Sequence, residues 1–197
     1  MALQNQLLQR RPAILARWFE CILATYAPET ASFLQAERER FQNPVGETIR
    51  PALAGVFDAL LEEAGDDVLR ERLDPVIRIR AVQDFSAAGA VAFVFDLKQV
   101  VREELAGSVL EGAGEAWRDF DLQVDHAGLV AFDIYMRCRE QIYDLRAREL
   151  KRCTAAILRR HNYVIEDLEP EPRGGPGPDA DGRAPRERPA GKGGSDR

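Results

Sequence analysis

Between Asp74 and Leu105 the chain carries a run that no surface element could hold: from Ala87 to Phe95 no residue is charged, and charges return only at Asp96, Lys98, Arg102, Glu103 and Glu104. A helix without a polar stripe has no solvent face and must be enclosed by its neighbours. The spacing therefore predicts a central helix over 86–106 lying inside the domain. Ser86 sits where that helix would begin, and its hydroxyl suits the capping of an unpaired backbone N–H. Ahead of it stands a polar corner, Arg78-Ile-Arg80-Ala-Val-Gln83-Asp84. The feature thus demands other helices around this one and places several charges at the edge of the core.

Length and composition fit that demand. With 197 residues the chain has room for one domain of ordinary size. Residues 166–197 hold seven of the 15 glycines and six of the 11 prolines with almost no apolar side chains, so they are expected to form a disordered tail. The body, 1–165, is rich in Ala, Leu, Arg and Glu, which favours helices. The expected fold class is all-α: a compact helical bundle with a long C-terminal helix.

Further elements follow from periodicity. Leu7, Leu8, Ile14, Leu15, Trp18, Phe19, Ile22 and Leu23 recur at helical spacing, with Pro12 predicting a short leading turn and a main helix from about Arg11. Trp18 reads as a core anchor. Phe33, Leu34 and Phe41 are the expected buried residues of a mixed stretch over 28–42. Asn43-Pro44 pairs a cap residue with a proline at the first helical position, opening a helix that ends at Gly65 and bends at Pro51. Asp66 is expected to cap a short helix through Leu73, and Asp74-Pro75 to repeat the cap-plus-proline device for a second over 76–83. Ile77-Arg78-Ile79-Arg80 alternates as a strand would, but nothing else in the chain reads as a partner strand, so helix is preferred. A loop is expected through Gly107, Gly112 and Gly114.

In the last helix Leu122, Leu129, Met136, Tyr143, Leu150 and Ile157 recur every seven residues, the interval that keeps one seam facing a partner. The intervening positions Asp133 and Glu140 are polar, so the repeat is not a full coiled coil. Leu129, Met136, Tyr143 and Leu150 are the candidate dimer seam.

The chemistry that would mark an enzyme is sparse. The two histidines, His126 and His161, lack companions at metal-ligand spacing, so no metal site is expected, though one histidine in a helical domain keeps a haem-bound or small-ligand sensor as the alternative. No serine lies in a nucleophile elbow, and Gly112-Ala113-Gly114 follows no strand. Cys21, Cys138 and Cys153 show no CxxC spacing, and Cys138 and Cys153 would sit roughly 22 Å apart on one helix. A disulfide framework is not expected, which suits a reducing cytoplasm. Net charge is −6, of which the tail's 8 acids and 6 bases account for −2, and this speaks against a nucleic-acid surface. There is no signal-peptide pattern and no run near the roughly 20 apolar residues that span a bilayer, so no membrane insertion is expected. One constellation remains: Arg78, Arg80, Gln83, Asp84 and Asp96. Charges beside a core must pair or line a cavity, so these form either an internal Arg–Asp network or a polar contact site for a ligand or partner.

Three segments taken in order resemble a known family. They are Arg40-Phe41-Gln-Asn43-Pro44-Val45-Gly46, Pro75-Val-Ile-Arg78-Ile79-Arg80-Ala81-Val82-Gln83-Asp84-Phe85-Ser86, and Phe132-Asp133-Ile-Tyr135-Met136-Arg-Cys138-Arg139-Glu140-Gln-Ile142-Tyr143. With Ile14-Leu15-Ala-Arg17-Trp18 they resemble the N-terminal domain family of the RsbRD-type co-antagonists of RsbT over essentially residues 1–160. The resemblance implies an all-helical regulatory input domain, with a globin-like fold that dimerises without haem in related co-antagonists. It implies no catalysis and no cofactor. Beyond His161 this sequence carries the Gly/Pro-rich tail where fused members carry a STAS output domain. The expected protein is thus a non-catalytic, cytoplasmic, dimeric module that relays a signal to a protein partner, either a signalling kinase or, as an adaptor, a subunit of a redox enzyme.

Overall fold

A computed structural model describes residues 2–35, 43–83, 85–105 and 107–160. Six helices and no strand are found among the described residues: α1 (Ala2–Leu23), α2 (Pro28–Gln35), α3 (Pro44–Leu61), α4 (Asp66–Val82), α5 (Ala87–Glu104) and α6 (Gly107–Arg160). The chain divides into two compact units, Met1–Ala147 and Arg148–Arg197. The tail, like Phe41, Asp84 and His161, lies outside the described residues.

In the first unit α1 packs on α5 and α3, and α3 packs on α4. Their shared interior holds Trp18, Ile14, Ile22, Leu53, Phe57, Leu73, Ile77, Phe93 and Leu97, each essentially closed to water. Trp18 is the expected anchor: it is 0% exposed, lies 6.1 Å from the Phe93 ring, and its Nε1 donates to the Phe93 carbonyl at 2.6 Å. A buried indole N–H left unpaired would cost about 1–3 kcal/mol, so this bond fixes how α1 lies on α5.

The cap residues act as expected at two helix starts. Asn43 Oδ1 accepts from the Gly46 N–H at 3.0 Å, and Ser86 Oγ accepts from the Gly89 N–H at 3.1 Å. Elsewhere proline is a weaker punctuation mark than its chemistry suggests. Helix α1 runs unbroken through Pro12, because Leu3 and Leu7 bury on the face that carries Ile14 and Trp18. Pro12 and Leu8 both face water, where a carbonyl freed by the missing N–H is solvated. Asp74-Pro75 likewise starts no second helix. The single helix α4 passes through it, keeping Leu69, Leu73, Val76 and Ile77 on one buried face. The Asp74 carboxylate turns to Arg78 Nε at 2.5 Å rather than capping. Asp66 is not a cap residue either; Gly65 holds that position. Only Gly114, at φ 36, interrupts helical geometry in the expected glycine loop, so α6 already begins at Gly107.

The uncharged run is buried on one side only. Ala90, Val91, Phe93 and Val94 are inside, whereas Ala88 and Ala92 are exposed and Phe95 keeps 39% of its surface in water. The expectation of a fully enclosed helix is corrected here: absence of charge did not mean absence of a solvent face. In α2 the two expected core residues also part company, with Leu34 buried and its neighbour Phe33 exposed.

Helix α6 returns antiparallel to α5, as three contacts show. Tyr135 Oη donates to the Phe85 carbonyl at 2.5 Å, Phe95 lies against Gly128, and Lys98 bridges Asp121 and Asp125, each at 2.8 Å. A Cβ at Gly128 would overlap the Phe95 ring, so the ring can seat against α6 in this position only with glycine there. Gly128→Ala is expected to destabilise the protein by about 1–3 kcal/mol in denaturant unfolding, despite alanine's better helix propensity. Equal or greater stability in the variant would show that the close approach is absent.

Candidate functional site

The end of α4 brings the polar corner together. Arg80 sits on the face of α4 that carries Val76, Ile77 and Ala81, so it enters the interior and is 0% exposed. Its Nη2 donates to Thr25 Oγ1, just past α1, at 3.1 Å and to the Gly89 carbonyl on α5 at 2.9 Å. The guanidinium lies 4.2 Å from the Phe85 ring centroid, 5.7 Å from that of Phe93 and 5.8 Å from that of Tyr26. Such faces attract a cation through the ring quadrupole. Yet Nε and Nη1 are buried with no hydrogen-bond partner among the described residues. Burial pulls the Arg80 pKa down, opposed by Tyr26 and by Asp96.

The other residues expected at this site are dispersed. Arg78 points to solvent and pairs with Asp74, so the expected placing of both arginines at the edge of the core fails for Arg80 alone. Gln83 is exposed and accepts from Tyr26 Oη at 2.8 Å. Asp84 is outside the described residues. Asp96 is partly buried, and no ion pair joins Arg80 to a carboxylate among the described residues. Burial also raises the Tyr26 hydroxyl and the Cys21 thiol above their ordinary values.

Two residues outside the expected set close the corner from α6. Arg139 Nη1 donates to the Ala81 carbonyl at 3.1 Å, satisfying one of the orphan groups at the C-terminus of α4. Its Nη2 donates to Tyr143 Oη at 2.9 Å, with the guanidinium 4.9 Å from the Tyr143 ring centroid. Tyr135 makes the bond to Phe85 described above. In the sequence Tyr135 and Arg139 show only as an aromatic and a basic residue one turn apart on a long helix, which does not say what they face.

The seven-residue row lies in water. On the first unit Leu122 is 58% exposed, Leu129 66%, Met136 40% and Tyr143 55%. Phe132, on the same stretch, is also exposed. The residues that α6 buries are others: Val124, Ala127, Ala131, Ile134, Tyr135 and Cys138. In the second unit Leu150 and Ile157 are exposed too, and Glu149 accepts from Arg152 at 2.7 Å.

His126 is half exposed, its Nε2 2.7 Å from Asp66 Oδ1, beside a shallow cleft lined by Ala59, Leu60, Glu63, Ala64, Leu69 and Gln123. No group of three or more His, Cys, Asp or Glu converges among the described residues, and no described helix is long and apolar enough to cross a membrane.

Residues 12–150 match the family described as the RsbT co-antagonist protein rsbRD N-terminal domain. No curated protein and no solved structure matches the chain.

Burial pushes the Asp96 carboxyl above its ordinary value, against a smaller downward pull from Arg80. A raised carboxyl contributes stability while protonated, below the unfolded carboxyl pKa, and loses it as pH rises through the folded value. Asp96→Asn is therefore expected to raise the melting temperature at pH 7 and to leave it unchanged near about pH 3. Melting curves with the gain at acid pH instead would reverse the assigned environment.

Proposed function

Because the chain belongs to the RsbT co-antagonist protein rsbRD N-terminal domain family, we propose that it is a non-catalytic regulatory module of a bacterial stress-signalling system. In this reading the polar corner around Arg80, with Gln83 at its rim, Arg78 and Asp96 beside it and Asp84 next in sequence after Gln83, is the input end. The row Leu129, Met136 and Tyr143, continued in sequence by Leu150, is the output face and pairs with a second copy of the chain. A protein partner, a signalling kinase or an enzyme subunit, reads the packing of that face. The protein is assigned to the cytoplasm, where its free cysteines Cys21, Cys138 and Cys153 stay reduced.

One observation carries this reading. Arg139 holds the last turn of α4, one residue from Arg80, with one nitrogen and the exposed Tyr143 with another. A change in how α4 ends must either break the Ala81 bond or move α6, so the corner and the apolar row share a mechanical link. The row is an exposed apolar surface at seven-residue spacing, which a helix uses against another helix of the same period. The helix of that period on hand is α6 itself.

Sedimentation of the full chain is expected to show a dimer that dissociates on dilution. Leu129→Glu with Met136→Glu is expected to give a monomer with unchanged helical circular dichroism, because both side chains already lie in water. A wild-type monomer at hundreds of micromolar would refute the pairing.

A further inference from the structure

We propose that the Arg80 corner is the binding site of one small, singly charged anion, held by Nε and Nη1 of Arg80 among α1, α4 and the first turn of α5. The site rests on the reading of this corner as the input end and names the chemistry of what enters it.

The hydrogen-bond donors of Arg80 outnumber their partners. A guanidinium has five N–H groups. Both hydrogens of Nη2 are engaged, by Thr25 and Gly89, while Nε and Nη1 have no partner among the described residues although the side chain is 0% exposed. Buried donors in folded proteins are almost always paired, and those that are not call for a ligand, an ion or a water. A water would satisfy an N–H and leave the charge. The rings of Phe85, Phe93 and Tyr26 offset part of that charge, but a ring face is a poor acceptor for three N–H bonds. An isolated interior cation is costly unless paired, and no described carboxylate bonds to it. An anion meets both needs together.

Charge and size follow from the same residues. One guanidinium neutralises one negative charge, so a dianion would bring a buried excess. The walls are aromatic rings 4.2–5.8 Å from the guanidinium carbon, and the side chain is closed to water, so the ligand is compact. Halides, nitrate and formate share this chemistry.

The test uses the full chain with Trp117→Phe, which leaves Trp18 as the one tryptophan of the two in the sequence. The Trp18 indole is bonded to the Phe93 carbonyl, and the Phe93 ring faces Arg80, so its emission reports on the corner. Sodium bromide, nitrate and formate are titrated separately against sodium sulfate at matched ionic strength. A saturable emission change with a monoanion, absent with sulfate and lost in Arg80→Met, is expected; Arg80→Lys is expected to keep it at about tenfold weaker affinity. Equal responses to sulfate and to the monoanions, no saturation with any of them, or an unchanged response in a folded Arg80→Met overturns the site. Should Arg80→Met not fold, bromide anomalous diffraction from crystals with native Arg80 decides. A peak at hydrogen-bond distance from Nε or Nη1 sustains the site, and its absence there refutes it. Saturable binding that leaves α6 pairing unaltered sustains the site and refutes only the relay.

Discussion

A guanidinium without a described counterion, enclosed where three helices meet, is the constraint around which the first unit is arranged. Arg80 reaches the end of α1 through Thr25 and α5 through Gly89, and lies against rings from the α1 end, from α5 and from the segment between α4 and α5. A charge in such a place ties the end of α4 to its neighbours more tightly than an apolar side chain of equal volume would, because displacing it leaves donors and carbonyl unpaired. The Trp18–Phe93 bond works beside it, fixing the same pair α1 and α5 through the Phe93 backbone. The directional contacts of Arg80 and Trp18 thus tie α1, α4 and α5 together within a mostly apolar interior.

What surrounds that corner is asymmetric. Toward α1 and α5 lies close-packed aliphatic and aromatic surface; from α6, Tyr135 and Arg139 bond to the carbonyls of Phe85 and Ala81. Those carbonyls belong to the end of α4 and the segment after it, groups with no intrahelical donor. Helix α6 is therefore attached to the corner by backbone acceptors as well as by packing, and its outward face carries apolar side chains at a repeating interval. The chain's membership of the RsbT co-antagonist protein rsbRD N-terminal domain family makes this arrangement the framework of a regulatory domain.

Much of the fold was legible in the sequence: the all-α class, the caps at Asn43 and Ser86, Trp18 in the core and the long last helix. The misreadings share a cause. Pro12 and Pro75 looked like boundaries because local chemistry disfavours proline within a helix, but buried leucines and isoleucines on either side of each kept the helix continuous. Spacing reveals which residues share a face without revealing which face is inside. The uncharged Ala88, Ala92 and Phe95 face water, while the fully charged Arg80 does not. For α6 the seven-residue interval marks a row that is exposed in the single chain, whereas the inward face includes small residues such as Ala127, Gly128 and Ala131, whose value lies in letting a neighbour approach. At the corner the sequence groups Arg78 with Arg80, but that Arg80 turns inward while Arg78 turns to water depends on side-chain directions that alternation alone does not encode.

Whether another helix covers the outward face of α6 in solution decides the rest. Hydroxyl-radical footprinting of the full chain at low and high protein concentration measures this at the side chains themselves, since Met136 and Tyr143 are both readily oxidised and both exposed in the single chain. Pairing through α6 predicts strong labelling of both residues in dilute protein and marked protection at high concentration, with the exposed Leu8 of α1 labelled alike in both. Undiminished labelling of Met136 and Tyr143 at every concentration would contradict it.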